Sequence, residues 1–293
     1  MNQKKRRDKK QEFRKLEDLN LIDDFLFQQM LLQEEDGEEF VRILLSTILE
    51  KPIRKVKIIP QRDIIGLDTD KHGIRLDAYI KDVSEEVEGG ESDAEVIPKI
   101  YDIEPNRTHE RESLPKRMRY YQSLMDVQLL SAGANYKKLP EVAIIMILPY
   151  DPFNQNRMVY TISNQCEEQD LKYWDGVKKI FLYTKGIEGN PSQALKDMLQ
   201  YIERTVEDNV TNQNIDTIHR MVNKVKKKKE VGINYMKSWE IEEMVREEGY
   251  QDGMDTINDL IICLSEAGRT DDIIKAARDA EYREKLLEEF DLV

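Results

Sequence analysis

Residues 73–107 read GIRLDAYIKDVSEEVEGGESDAEVIPKIYDIEPNR, and the two ends of this stretch decide how the chain is built. In the first run Ile74, Leu76, Ala78 and Ile80 alternate with Arg75, Asp77, Tyr79 and Lys81, the period-two pattern of a half-buried strand. In the second, Ile100, Asp102, Glu104 and Asn106 share one parity while Tyr101, Ile103 and Pro105 share the other. If these strands pair, Asp77 and Glu104 sit side by side on one face, and two such carboxylates are how a protein builds a divalent-metal site from oxygen ligands. The connection between the runs is acidic and poor in apolar residues, so it reads as loop. Pro105 cannot donate to a ladder and marks a strand end or edge.

Outward from this stretch, LIDDFLFQQMLLQ carries Leu21, Ile22, Phe25, Leu26, Met30 and Leu31 at helical spacing, and EEFVRILLSTILE reads as a second helix after Gly37. Phe25, Phe27 and Leu44 are expected in the core. Asp23 and Asp24 suit the positive end of the first helix, and a carboxylate here, Asp24, can also reach toward the acidic site. VKIIPQR is a strand broken by Pro60. SLPKRMRYYQSLMDVQLL is a helix with Pro115 in its first turn, Leu114, Met118, Tyr121, Met125 and Leu129 on one face, and Lys116, Arg119, Tyr120 and Ser123 opposite or flanking. Cations in the first turn of a helix oppose its dipole, so Lys116, Arg117 and Arg119 are either a solvated face or matched to something anionic nearby.

EVAIIMIL, between Pro140 and Pro149, has the continuous apolar run of a strand buried on both faces. MVYTI and KKIFLYT are further strands. Beyond Ser192 the period turns helical, with helices expected over 192–206, from Asn214 through the lysine run, and over 234–247, then short helices punctuated by Gly249, Gly253 and Gly268. The order of helix, β-runs, helix and β-run indicates an α/β core with its site at strand ends.

Composition sets limits. With 40% hydrophobic and 35% charged residues the chain is neither membrane-spanning nor wholly disordered, and no apolar run approaches a bilayer span. Cys166 and Cys263 lack zinc-site spacing, which favours a reducing, cytoplasmic location. A net charge of −13 argues against a generally sticky nucleic-acid binder. Positive charge is nonetheless concentrated in Lys4–Lys15, in Arg107–Arg119 and in the lysine run ending at Lys229, leaving room for a locally basic cleft on an acidic body. His72, His109 and His219 form no ligand pair, and His109 reads as a surface residue of a charged loop. Trp174 and Trp239 read as packing residues. Tyr120 is the aromatic placed to stack on bases, and Tyr121 belongs to the core.

Taken together, LIDDFLF, RLDAYIKD, YDIEPN, LPKRMRYYQSLMD and KLPEVAIIMILPYDPF, spread over about residues 20–185, resemble the PD-(D/E)XK nuclease superfamily, specifically the recombination-promoting nuclease / putative transposase family. The resemblance implies a restriction-endonuclease-like core, a central mixed sheet flanked by helices, with a C-terminal helical extension. It divides the chain into a basic flexible tail (1–18), a nuclease-like domain (19–188) and a helical C-terminal region (189–293). It further implies a metal-dependent endonuclease that hydrolyses DNA phosphodiesters in recombination or transposition, with Mg²⁺, or Mn²⁺ in its place, as cofactor. Asp77 and Glu104 match the acidic positions of the motif and become the metal ligands; Asn106 stands where the superfamily has lysine. Arg107, Arg119 and Gln122 are the candidates to supply what that lysine would. DNA is the expected partner, with self-association through the C-terminal helices. The alternative is a catalytically inactive DNA-binding or assembly protein on the same fold. A blander reading makes the two acids ordinary strand-face residues.

Overall fold

The computed structural model describes residues 13–64, 74–83, 99–171 and 173–292. The basic start before Phe13, the turn through Asp68 and His72 and the acidic connection after Val83 lie outside the described residues. The described chain is α/β, with a six-stranded mixed sheet flanked by helices and a C-terminal helical region.

The strands are β1 (Val56–Ile64), β2 (Ile74–Asp82), β3 (Lys99–Pro105), β4 (Val142–Leu148), β5 (Val159–Ile162) and β6 (Val177–Tyr183), arranged β1-β2-β3-β4-β6-β5. β1, β2 and β3 pair antiparallel, β3, β4 and β6 pair parallel, and β5 closes the far edge antiparallel to β6. Every residue of β4 is buried, as its unbroken apolar run requires of a central strand covered on both faces. β1 runs through Pro60 rather than breaking there, because an edge strand has one side on which a missing N–H costs no ladder bond.

Helix α1 (Asp24–Leu31) buries Leu26, Phe27, Met30 and Leu31, and α2 (Glu34–Ile48) buries Phe40, Val41, Leu44 and Leu45. Phe25 is only half-buried. Gly37 lies within α2, not before it. A Cβ there would come 2.8 Å from the Leu31 carbonyl oxygen, so the bare glycine is what lets the two helices meet this closely. The expected loose tail is docked from Phe13 onward: Leu16 is buried and Arg14 pairs with Asp23 at 2.8 Å.

Helix α3 (Leu114–Leu129) lays Leu114, Met118, Leu124 and Met125 on the sheet against Tyr79, Ile100, Val142, Ile144, Met146 and Phe181. Because Ile100 points to this face, so do Asp102 and Glu104. Helices α4 (Gln193–Glu203) and α5 (Gln213–Lys226) begin at Ser192 and Asn212, whose side chains accept from the Leu195 and Ile215 amides at 3.3 and 3.1 Å.

The chain divides into two compact units, the first ending at Gly232 and the second Ile233–Val293. The division expected at 188/189 falls elsewhere because α4 and α5 pack on α1 and α2, burying Leu195, Met198, Leu199, Ile215, Ile218 and Val222. Helix α6 spans Lys229–Glu266, 38 residues, running through Gly249 and Gly253 where an end was expected. In an exposed helix each glycine costs only about 1 kcal/mol, too little to end it. The stop comes at Gly268 (φ +72°), where the Arg269 amide reaches back to the Leu264 carbonyl at 2.8 Å. Helices α7 (Thr270–Arg278) and α8 (Ala280–Glu289) join the end of α6 around Leu260, Leu264, Ala276 and Leu286. Among the described residues no helix is long and apolar enough to cross a membrane.

Candidate functional site

β3 lies between β2 and β4, so its side chains are covered on both faces, yet two of them are carboxylates. Asp102 is fully buried and Glu104 is 2% exposed. Ionised groups are kept in such places only when other groups compensate their desolvation. The β2–β3 register pairs Tyr79 with Asp102 and Ile80 with Tyr101. That pairing runs from Asp82–Lys99 as far as Tyr79–Asp102, two residues short of position 77 and Glu104. The Asp77 side chain itself lies outside the described residues.

Helix α3 supplies a cation to Glu104. Arg117 donates from Nη2 to Glu104 Oε2 (3.2 Å), from Nη1 to Glu110 Oε2 (3.4 Å) and from Nε to the Tyr121 hydroxyl (3.0 Å), with its guanidinium 5.2 Å from the Tyr121 ring centroid. Burial opposes the charge on Arg117, but Tyr121, Glu104 and Glu110 more than offset it and raise its pKa. Burial also raises the Tyr121 pKa, and the negative charges of Glu104 and Asp102 add to the effect, so its hydroxyl stays protonated. His109 is exposed but stacks on Tyr150, ring centroids 4.6 Å apart, beside this cluster.

The other candidates are placed as follows. Asn106 is buried; its amide nitrogen extends the β3–β4 ladder to Ile147 O (2.9 Å) and its Oδ1 accepts from the Thr108 amide (2.8 Å), an Asx turn that steers the chain off the sheet. Arg107 leaves toward α1, where it pairs with Asp23, a carboxylate that also accepts from Arg14 and the Asn20 amide. Asp24 is exposed in the first turn of α1, and the acid that meets Arg107 is its neighbour Asp23. Arg119 and Tyr120 are exposed on α3, and Gln122 hydrogen-bonds Asp126 one turn on. Three lysines of the run tie α5 and the short segment after it to other elements: Lys224 meets Asp36, Lys226 donates to the Glu17 and Leu19 carbonyls, and Lys228 meets Gln33.

The sequence marks Arg117 only as one of a basic cluster and Asp102 only by its parity, and singles out neither as a site residue. Lys116, Arg117 and Arg119 look like one basic cluster, but successive residues on a helix turn by about 100°, so Arg117 points away from Arg119. Its spacing of four from Tyr121, a member of the apolar stripe, was the available signal. Asp102 carried the same parity as Glu104.

Two buried carboxylates on one strand face, with the Pro105 carbonyl beyond them, are oxygen donors of the kind Mg²⁺ and Mn²⁺ take. Among the described residues alone, no group of three metal-ligating side chains occurs.

No family model, no curated protein and no solved structure matches the chain. Fold and site define the class: an α/β protein with a mixed sheet and a buried carboxylate–arginine cluster near the end of a central strand.

Proposed function

We propose that this chain is a metal-dependent DNA endonuclease of the restriction-endonuclease-like type, acting in recombination or transposition of mobile DNA. The observation that carries the reading is Glu104: a carboxylate 2% exposed at the end of a central strand with a guanidinium against it; the β2–β3 register, carried two residues further, would set Asp77 opposite. In this reading Asp77, Glu104 and the Pro105 carbonyl hold Mg²⁺. Bound there, the ion would polarise the scissile phosphate and lower the pKa of a water.

The chain's own residues do the rest. Arg117, locked by Tyr121, orients Glu104 and offers further N–H donors of the kind that bind phosphate oxygens, the task of the superfamily lysine. Asn106 supports the site through its turn. Arg107 holds α1 rather than substrate. DNA is the partner, self-association runs through the C-terminal helices, and the protein works in the cytoplasm.

The test is cleavage of plasmid DNA with Mg²⁺ by wild type, Asp77→Asn and Glu104→Gln, each first shown to unfold cooperatively. Nicking by the wild type and its loss in both variants is expected; unchanged cutting in the variants removes the assigned site.

Two observations favour the second reading, a catalytically inactive DNA-binding or assembly protein: Glu104 is already paired with Arg117, and the Asn106 side-chain carbonyl is spent on Thr108. Calorimetry with Mn²⁺ separates the two. Glu104-dependent binding supports the enzyme, and salt-sensitive DNA binding without it supports the alternative.

A further inference from the structure

At the start of β3, five residues and roughly 16 Å from Glu104 at about 3.3 Å per residue, lies a different kind of surface. A shallow cavity of about 170 Å³ is lined there by Lys51, Lys99, Tyr101, Glu141, Trp174 and Lys178, among others. Trp174 was expected to pack, yet it is 52% exposed, and the adjacent Tyr173 is 61% exposed. Lys178 Nζ sits 5.1 Å from the Trp174 ring centroid, and Lys51 Nζ donates to the Tyr101 hydroxyl at 3.3 Å. Lys99 pairs with Glu141 at 3.4 Å. Tyr136, 83% exposed, and Lys137 and Lys138 form a turn that ends three residues before Glu141, at the same end of the sheet.

On a chain of net charge −13, three lysines against one glutamate around an exposed indole is a local reversal of sign. An indole left in water beside ammonium groups suits a ligand that has both a flat face and a negative charge. The volume is below the roughly 300 Å³ at which sites begin to enclose a whole small molecule, so it fits one unit of a longer chain.

We propose that this cavity seats one nucleotide of a single-stranded nucleic-acid segment, its base stacked on Trp174 and its flanking phosphates met by Lys51, Lys99 and Lys178. Base stacking on an aromatic ring with lysines tracking the backbone is how single strands are bound without sequence preference. The inference rests on the nucleic-acid reading of the acidic site for its choice of ligand, but uses none of that site's residues.

The test uses the full chain carrying Trp239→Phe, which leaves Trp174 as the single tryptophan fluorophore. A ten-residue oligothymidylate is titrated in EDTA while the emission is followed. Saturable quenching is expected, with log affinity falling against log salt at a slope of about −2, some −0.7 for each of three phosphate contacts. Fluorescence anisotropy of labelled oligonucleotide should show Trp174→Ala binding roughly 5- to 100-fold more weakly, as loss of one stacked base does. Lys51→Ala with Lys178→Ala should reduce the slope to about −0.7, at an unchanged unfolding midpoint.

Absence of quenching, or full affinity in the double lysine variant, overturns the proposal. Saturable quenching by thymidine monophosphate but not by the oligonucleotide overturns the strand assignment, and tighter binding of polyglutamate would make the surface a docking site for acidic protein. Quenching that persists in Glu104→Gln, whether or not plasmid cleavage occurs, supports this site separately from the nuclease reading.

Discussion

Arg117→Met tests the central electrostatic claim. Methionine keeps an apolar stem against Tyr121 but removes the guanidinium from Glu104, whose side chain is only 3% exposed. Breaking a buried pair by removing one partner costs about 3–5 kcal/mol. Arg117 is itself 27% exposed, so water can partly replace it, and about 2–3 kcal/mol is the working value. For a unit of this size that lowers the unfolding midpoint by roughly 5–10 °C. Thermal unfolding of four proteins, wild type, Arg117→Met, Glu104→Gln and the double variant, measures the coupling. The double variant should regain most of the loss, since no uncompensated charge is left. Mn²⁺ should stabilise Arg117→Met more than wild type, because a cation competing for Glu104 is gone. If Arg117→Met unfolds at the wild-type midpoint, or the double variant is no more stable than Arg117→Met, the buried-pair account fails.

Four further outcomes can be checked by unfolding experiments. Asp151 accepts from the Phe153 and Asn156 amides and the Tyr160 hydroxyl at 3.0, 2.5 and 2.8 Å; burial pushes its pKa up, but these donors outweigh it and hold it below the ordinary 3.8. A depressed folded pKa gives stability that is present above the unfolded value and lost as pH falls through the folded one, so Asp151→Asn should cost about 2 kcal/mol near neutrality. That gap should close below about pH 3.8 as titrated by pH-dependent denaturation. Gly37→Ala should destabilise by about 1–3 kcal/mol in urea, its Cβ meeting the Leu31 carbonyl. Gly249→Ala and Gly253→Ala have nothing within 4 Å of the new atom and should each add about 0.8–1 kcal/mol and raise helicity by circular dichroism. Asp23→Asn weakens the contacts to Arg14, Arg107 and Asn20, and since both arginines are more than a third exposed the loss in thermal stability should be only about 1 kcal/mol.

Much of the architecture could be read from local pattern. β4 announced itself by an unbroken apolar run and is buried throughout, and the alternation in β2 and β3 put Asp102 and Glu104 on one face. The stripe of α3 was legible because Leu114, Met118 and Met125 recur at helical spacing. The continuity of α6 was not, because glycine weakens an exposed helix without ending it. Periodicity also shows that α4 and α5 have apolar faces but not which surface covers them, and so the unit boundary moved to 232/233. Where the cations near the site point was not legible for a related reason. Charge clusters in sequence, but Arg107 turns back to Asp23 while Arg117 turns in to Glu104.

The acidic stretch between residues 73 and 107 thus had two layers of information. By itself the sequence determined which residues extend, which coil, and which side chains share a strand face, since those follow from backbone periods of two and 3.6 that act over a few residues. Only the tertiary structure decided that β2 meets β3 in the register pairing Tyr79 with Asp102, and that α3 settles on the sheet at the rotation bringing Arg117, thirteen residues on, to within 3.2 Å of Glu104. It also brought Lys51, Lys99 and Lys178 around Trp174 at the other end of the same strand. Such meetings depend on how apolar faces interlock across long separations in the chain, and local sequence pattern carries no distance between elements that have yet to pack.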